Sequence, residues 1–276
     1  MTQLANTLER SQSLSLVSTP VEHTIAELDA HSLLDQNRAA LMTRVDDKYV
    51  IKQSDLHTFI NNAKQHFTIL QDHQLRIFPY QTVYYDTDDH QLYHQHHSGK
   101  ANRLKIRCRE YMHTGQKYLE VKQKNNKGIT HKYRHEIDCY SNIINLSEFI
   151  LKFGIKDTLT PALFVNYQRI TLMHKFENQR ITIDLNLKYQ DARNHKTIDL
   201  DDIAIIEIKR DRHDHKLGRS TSHTCLYDLG YRPVNFSKYC MGCVLSGMPN
   251  IKKNRFKQNL LFLKKQFSIE VVHASL

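Results

Sequence analysis

The sequence is poor in glycine, proline and cysteine. Its 276 residues include only 8 glycines and 5 prolines, too few for a collagen-like or low-complexity chain. The cysteines are an odd number without dense spacing, which excludes a disulfide-rich secreted scaffold and predicts reduced thiols, as in a cytoplasm. They are Cys108, Cys139, Cys225, Cys240 and Cys243.

Long hydrophobic runs are also missing. No stretch approaches the roughly 20 apolar residues of a membrane span, which excludes an integral membrane protein. Residues 1–20 lack the basic start and apolar core of a secretion signal, so we expect a cytoplasmic protein. The same residues are rich in Ser, Thr, Gln and Asn, which predicts a flexible N-terminal arm.

Positive charge, in contrast, is abundant. The chain has 39 Lys and Arg against 29 Asp and Glu, a formal net charge of +10, together with 18 histidines. This excess favours a polyanionic partner, and nucleic acid, a phosphate chain or an acidic membrane surface would each meet that description.

Most of the chain between residues 81 and 209 alternates apolar and polar positions, the period of β-strands. Strands are predicted over 81–87, 103–111, 117–124, 130–138, 163–172, 180–186 and 203–209. Helices are predicted within 21–40, after Ser54 as a capping residue, near 145–153 and over 251–267. We therefore predict an α+β fold with a mainly antiparallel sheet in one domain over 21–250, followed by a basic amphipathic helix and tail over 251–276.

Three successive predicted strands have an unusually cationic polar face. Side chains alternate between the two faces of a strand, so every second residue lies on the same side. The shared faces hold Lys105, Arg107 and Arg109; then Glu120, Lys122 and Lys124; and then Lys132, Arg134 and Glu136. Like charges on neighbouring strands repel, which favours a bound polyanion between them, although a solvated face of a basic protein is the simpler alternative.

Two later strands add carboxylates to this pattern. Asp184 shares a strand face with Arg180, and Glu207 shares one with Lys209. These carboxylates are either counterions for the cations or oxygen ligands for Mg²⁺ or Mn²⁺, which bind one or two carboxylates together with phosphate oxygens.

Several other signals are weak. Cys240 and Cys243 form a single CxxC without the second pair that a structural zinc site needs. The histidines at 90, 94, 96 and 97 are expected on a hairpin loop, and His213 and His215 in solvent. The helix over 251–267 is expected to pack an apolar face against the domain, with binding to an anionic membrane surface or a protein partner as the alternative.

The order of motifs resembles the polyphosphate polymerase domain of the vacuolar transporter chaperone (VTC) complex, a branch of the triphosphate tunnel metalloenzymes. The resemblance covers about residues 40–245. Its segments are RVDDKYVI at 44–51, TVYYDT at 82–87, RLKIRCREY at 103–111, YLEVKQK at 118–124, KYR at 132–134, PALFVNYQR at 161–169, RITID at 180–184, IIEIK at 205–209 and FSKYCMG at 236–242. One departure is Asp47, which stands where the family commonly has a cation.

The resemblance implies an eight-stranded antiparallel tunnel that transfers the γ-phosphate of ATP to a growing polyphosphate chain. It implies catalytic roles for Lys48, Arg107, Arg109, Lys122, Arg169 and Lys238, and phosphate-binding roles for Lys105, Lys124, Lys132, Arg134 and Lys209. Glu207 is the implied ligand of a divalent metal, Mn²⁺ or Mg²⁺, with Asp184 and Glu120 as further candidates. The implied partners are ATP and inorganic polyphosphate, with no specific nucleic acid.

Three rival functions stay open from the sequence. A metal-dependent triphosphatase or polyphosphatase would use the same tunnel with water as the acceptor. A catalytically silent polyphosphate receptor or a nucleic-acid-binding module would bind without turnover. If Arg107 and Arg109 line a tunnel, loss of either is expected to weaken triphosphate binding while leaving stability unharmed or slightly higher.

Overall fold

The computed structural model describes residues 19–38, 44–138, 147–212 and 218–269. Most of the predicted N-terminal arm, the C-terminal tail, Cys139, His213 and His215 lie outside the described residues. The other four cysteines are free thiols. Within the described ranges, no helix is long and apolar enough to cross a membrane.

The fold is built on one mainly antiparallel sheet, as predicted. Eight strands follow each other as neighbours in the order β2-β11-β9-β8-β4-β5-β6-β7, and β1, β3 and β10 pair beside this path. The strands are β1 Ala30–His31, β2 Arg44–Lys52, β3 Phe67–Leu70, β4 Phe78–Asp86, β5 Arg103–Tyr111, β6 Gln116–Lys124, β7 Thr130–Ile137, β8 Thr160–His174, β9 Gln179–Asp191, β10 Thr197–Leu200 and β11 Ile203–Asp211. Among the described residues the sheet therefore has eleven strands, of which eight form the main path.

Short helices flank the sheet. They are α1 Pro20–Ala26, α2 Leu33–Arg38, α3 Leu56–Ala63, α4 Gln91–Ser98, α5 Ser147–Leu151, α6 Thr221–Asp228, α7 Lys238–Leu245 and α8 Lys257–Phe267, with 3₁₀ turns at Gln53–Asp55, Lys64–His66 and Asn254–Phe256. The predicted helical region 21–40 is thus two helices separated by β1.

The apolar face of the strands packs outward against the helices. Ile106 and Leu119 lie in one buried cluster with Leu92 of α4 and Ile150 of α5. A larger cluster covers the other half of the sheet and includes apolar residues of β9, β11, α3, α7 and α8. Because side chains alternate along a strand, burial of these residues on the outside turns the polar residues toward the inside of the curved sheet.

The sheet curves but does not close through strand pairing. Among the described residues, β2 pairs only with β11 and β7 pairs only with β6. Residues of both end strands nevertheless line the same cavity, including Asp46 and Lys48 of β2 and His131 and Lys132 of β7. The expected eight-stranded tunnel is thus a curved sheet whose strands surround a cavity but leave a gap between β2 and β7.

Two local predictions are wrong. Ser54 does not cap a helix: it lies in a 3₁₀ turn, and α3 begins after Asp55 without a side-chain cap bond. The histidines of 90–97 are not on a hairpin loop but lead into and form α4. That helix packs Leu92 and Tyr93 into the core, so tertiary packing outweighs the polar composition of the segment.

The basic helix α8 packs within the fold. Leu260, Leu263 and Phe267 are buried in the larger cluster, and its lysines face solvent. This confirms the first of the two interpretations of the helix. Since the apolar face is already covered, it is not available for a membrane surface.

Gly242 provides a test of how closely α7 packs on the sheet. A Cβ atom there would meet Leu163 Cδ2 at 2.5 Å and Tyr189 Cδ1 at 2.6 Å. In an ordinary helix Gly→Ala stabilises by about 1 kcal/mol, but this crowding should make Gly242→Ala destabilising by about 1 to 3 kcal/mol. Urea unfolding measures the sign. Asn61→Ala at an exposed position of α3 is the control and should stabilise slightly, and a gain in both variants would contradict the packing described here.

Candidate active site

The inner face of the curved sheet surrounds a strongly cationic cavity of about 360 Å³, which we call the lumen. Strands β2, β5, β6, β7, β8, β9 and β11 and the start of α7 each contribute a cation to it. Among the described residues, the lining cations are Lys48, Lys105, Arg107, Arg109, Lys122, Lys132, Arg169, Arg180, Lys209 and Lys238, and the one lining carboxylate is Glu207. The structure thus brings together nine of the eleven cations predicted for the site.

A second cavity of about 650 Å³, which we call the mouth, opens between β2 and β7. It continues the lumen, because both cavities are lined by Lys48, Lys105, Lys122, Lys132 and Glu207. The predicted phosphate ligand Lys124 lines the mouth rather than the lumen.

Arg134 lines neither of the two cavities. Its guanidinium group stacks 3.3 Å from the centroid of the Tyr118 ring and 5.3 Å from that of Tyr111. Since Tyr111 lines the lumen, Arg134 lies next to that cavity without lining it. Its role in phosphate binding remains a prediction.

Strand register places like charges directly opposite each other. Lys122 pairs with Lys105 on one neighbouring strand and with Lys132 on the other, and Lys209 pairs with Arg180. Cross-strand like charges destabilise a sheet. Arg180 lines the lumen but was not predicted as a site residue, although it shares the polar face of its strand with Asp184.

Glu120 neutralises part of this charge from beneath the lumen. Its carboxylate is fully buried and accepts from Arg107 Nε at 2.8 Å and Nη2 at 2.6 Å, with Lys132 also in contact and Arg109 Nη1 at 4.0 Å. Burial alone would raise the pKa of Glu120, but the cations Arg107, Arg109 and Lys132 outweigh it and hold the pKa well below its usual value.

Asp184 plays the same part on the opposite wall. Arg169 donates to its two oxygens at 2.6 and 2.8 Å, and Lys238 also contacts it. Burial opposes ionisation, yet Arg169 and Lys238 keep the pKa of Asp184 below its usual value. With their oxygens bound to cations, Glu120 and Asp184 are counterions that fix guanidinium groups, and these contacts do not support the prediction that they also bind a metal.

Glu207 is the carboxylate that faces the lumen. Its oxygens lie 3.3 Å from Lys48 Nζ and 3.1 Å from Lys209 Nζ. Burial raises the pKa of Glu207, but the charges of Lys209 and Lys48 lower it by more than burial raises it. The pKa is therefore well below its usual value, and the group is ionised. It carries a single negative charge on the cavity wall, in a position to contact a bound phosphate or metal ion.

Among the described residues, a metal ion could be held by a single carboxylate together with oxygens of the substrate. No group of three or more His, Cys, Asp or Glu among them is arranged to hold a metal ion. Mg²⁺ and Mn²⁺, however, are often bound by one or two carboxylates with substrate oxygens completing the shell. Glu207 therefore suits a metal that arrives with a phosphate chain, and it does not suit a permanently bound ion.

Four lysines of the lumen have pKa values below the usual value for lysine. Burial lowers the pKa of Lys132 and that of Lys209 to about 8, with Glu120 and Glu207 respectively acting in the opposite direction. Burial also lowers the pKa of Lys105 and of Lys122. An incoming anion would restore the charge of these groups.

Tyrosine side chains contact the lumen arginines through a hydrogen bond and through cation–π interactions. Arg107 Nη1 donates to Tyr84 Oη at 3.2 Å, and the parallel rings of Tyr80 and Tyr167, 5.3 Å apart, lie within 6.0 Å of both Arg109 and Arg169. Sequence reasoning did not assign these tyrosines to the site, because cation–π partners come from different strands and have no fixed spacing.

The start of α7 brings two further groups to the lumen. Ser237 caps the helix by accepting from the Cys240 amide, and it also accepts from Lys105 Nζ at 3.0 Å. Lys238, the next residue, contacts Asp184. Cys240 and Cys243 are buried in the same helix as free thiols.

Comparison with known protein families shows which family this chain belongs to. The profile of the VTC domain matches residues 43–246, most of the chain. The chain belongs to the VTC domain family. The matched range contains every predicted site residue of this VTC domain, from Lys48 to Lys238. A comparison with curated proteins finds no match.

Solved structures give more distant likenesses. A candidate adenylate cyclase from Bacillus halodurans is 12% identical over 71% of this chain and 94% of its own, with a TM-score of 0.48. A candidate adenylyl cyclase from Hippeastrum, described as having a dominant triphosphatase activity, is 14% identical over 72% and 95%, with a TM-score of 0.43. The assignment to the VTC family rests on the sequence match.

The contacts of Glu120 reverse one expectation from the sequence. Arg107→Ala would leave a buried carboxylate short of two charge-assisted hydrogen bonds, so it should destabilise the VTC domain by about 1.5 to 3 kcal/mol, and not leave stability unharmed. Urea unfolding without ligand measures this. Lys105→Ala is the matched control: it removes a cation from the same strand face that has no carboxylate partner among the described residues, and stability should stay equal or rise. Equal effects of the two substitutions would contradict the role given to Glu120.

Proposed function

We propose that this VTC domain transfers the γ-phosphate of ATP to the end of an inorganic polyphosphate chain held in the lumen. The observation that carries the proposal is the set of ten cationic side chains around a cavity whose described lining has one carboxylate. Two buried carboxylates and stacked tyrosines hold the arginines in place, so these groups are positioned before any substrate arrives.

The spacing of the arginines suits an extended phosphate chain. Arg107 and Arg109 are two residues apart on one face of β5, which separates them by roughly 6 to 7 Å along the strand. Guanidinium groups bind phosphate oxygens in a bidentate manner, and lysines act as point charges. The lumen and the mouth together offer cations along a continuous path, which favours a chain of phosphates over a single one.

The chemistry needs little from the protein beyond positioning and charge. In phosphoryl transfer the attacking and leaving oxygens lie in line, and catalysis comes mainly from stabilising charge on the transferred group. The described lining of the lumen contains no cysteine or histidine, and its one serine, Ser237, accepts a hydrogen bond from Lys105. We therefore propose direct transfer to a terminal phosphate oxygen, without a covalent protein intermediate.

Glu207 is the proposed contact for a divalent metal. Bound with the phosphates, Mn²⁺ or Mg²⁺ would supply a Lewis acid that draws charge from the transferred group. Lys48 and Lys209 hold the Glu207 carboxylate at the lumen wall, and the lumen arginines would orient the phosphates on either side of it.

The polymerase and its rivals differ in the product. Incubation with ATP and Mn²⁺ should give long polyphosphate and ADP, measured by gel electrophoresis and by free phosphate release. Phosphate release without chain growth would instead establish the hydrolase, and chain binding without turnover the silent receptor. Glu207→Gln should lower metal-dependent turnover by about 100-fold or more while the protein still folds, with a lower melting temperature because Lys48 and Lys209 lose their carboxylate partner. Glu110→Gln, which removes a carboxylate paired with Lys117 outside the lumen, is the control, and equal activity of both variants across a Mn²⁺ titration would refute the role of Glu207.

Binding should also depend on pH in a defined direction. With pKa values of about 8, Lys132 and Lys209 are protonated below that pH and lose their charge above it. A phosphate chain favours the charged form and raises both pKa values, so tripolyphosphate affinity should fall as the pH rises from about 7 to 9, with proton uptake on binding. Calorimetry at pH 8 in buffers of different ionisation enthalpy measures the uptake. Lys132→Arg should reduce it, and pH-independent affinity without uptake would contradict the lowered pKa values.

A further inference from the structure

A third cationic cavity lies on the outer side of the sheet. We call it the outer pocket; its volume is about 340 Å³, and its lining includes Tyr49, Arg210, Arg219, His223, Tyr227 and Arg232. This volume is in the range of small-molecule sites. None of these residues lines the lumen or the mouth.

Strand alternation explains why the outer pocket is separate from the lumen. Asp47 and Tyr49 flank Lys48 on β2, and Arg210 follows Lys209 on β11. Neighbouring residues of a strand lie on opposite faces, so these two strands present lysines to the lumen and a different set of groups to the outside. The rest of the lining comes from α6 and from the described residues on either side of it, 218–219 and 231–233.

The outer pocket has more positive charge than its own contacts neutralise. Asp47 is the one carboxylate in the described lining of the pocket; it accepts from His223 Nε2 at 3.0 Å and lies 4.0 Å from Arg210 Nη2. In the described part of the chain, neither Arg219 nor Arg232 pairs with a carboxylate. The side chain of Arg210 is only 7% exposed, yet its Nε has no hydrogen-bond partner.

The two remaining arginines are held by an aromatic ring. The guanidinium groups of Arg219 and Arg232 lie 4.1 and 3.5 Å from the centroid of Tyr227. Arg232 also donates to the carbonyl oxygens of Tyr227 and Tyr231, which fixes its position. Among the described residues, the contact of the Arg219 guanidinium group is with the Tyr227 ring, which leaves its N–H donors open to a ligand.

We propose that the outer pocket binds a phosphate-bearing small anion, independently of the lumen. Three guanidinium groups around one cavity repel each other unless an anion joins them, and planar guanidinium donors match phosphate oxygens. Either inorganic pyrophosphate or the phosphate of a nucleotide has the required chemistry.

Arginine-selective labelling of the intact protein tests the location directly. Modification of Arg219 and Arg232 by a dicarbonyl reagent, read by mass spectrometry, should fall at least fivefold at saturating pyrophosphate or AMP. Protection by AMP alone would identify a nucleotide as the ligand, and protection by pyrophosphate, with or without AMP, would identify the phosphate group as sufficient. Unchanged labelling at saturating concentrations of both anions would overturn the proposal.

Calorimetry separates the outer pocket from the lumen. Pyrophosphate should bind wild-type protein in two classes of sites, and Arg219→Gln should weaken one class by about tenfold or more while leaving the other unchanged. Lys122→Ala in the lumen should do the reverse. Arg193→Gln, at an exposed arginine that contacts Asp88 and lines none of the three cavities, is the matched control. Loss of both classes in Lys122→Ala, or equal affinities for Arg219→Gln and Arg193→Gln, would overturn the proposal, whereas failure of ATP turnover would leave it standing.

Discussion

Mutual repulsion between cations in a confined space is the constraint on which this structure depends. Lys105, Lys122 and Lys132 stand side by side on three paired strands, and Lys209 stands opposite Arg180. A sheet with this arrangement needs compensating interactions elsewhere. The outward apolar face supplies much of this compensation, because both hydrophobic clusters pack on the reverse side of the same strands.

The carboxylates of the site are divided between two tasks. Glu120 and Asp184 are buried beneath the lumen, where each fixes an arginine and lowers the repulsion around it. Glu207 stands on the lumen wall between two lysines. This division leaves the lumen with a large excess of positive charge while its arginines keep defined positions. A phosphate chain would therefore meet an already ordered set of donors.

The sequence predicts the strands and the inward cations well, because both follow from alternation along a single strand. The shared face of Lys105, Arg107 and Arg109 could be predicted from the two-residue period of a strand alone. The partners of Glu120 were not predictable in the same way, since Arg107 and Lys132 reach it from two neighbouring strands whose register is set by the whole sheet. The gap between β2 and β7 likewise depends on the curvature of all eight strands. The helix α4 was missed because its polar, histidine-rich sequence hides the two residues that pack inward, Leu92 and Tyr93.

The gap in the sheet has a consequence for contacts between molecules. β7 is solvent-exposed at seven of its eight residues, and its free edge offers backbone donors and acceptors that a second copy of the strand could pair with. In the antiparallel register that sets Tyr133 against Tyr133 of the other copy, Lys132 would face Arg134, and like charges in direct opposition destabilise a sheet. The cations of β7 thus act as gatekeepers against edge-to-edge aggregation, a task that is separate from anything they do toward phosphate.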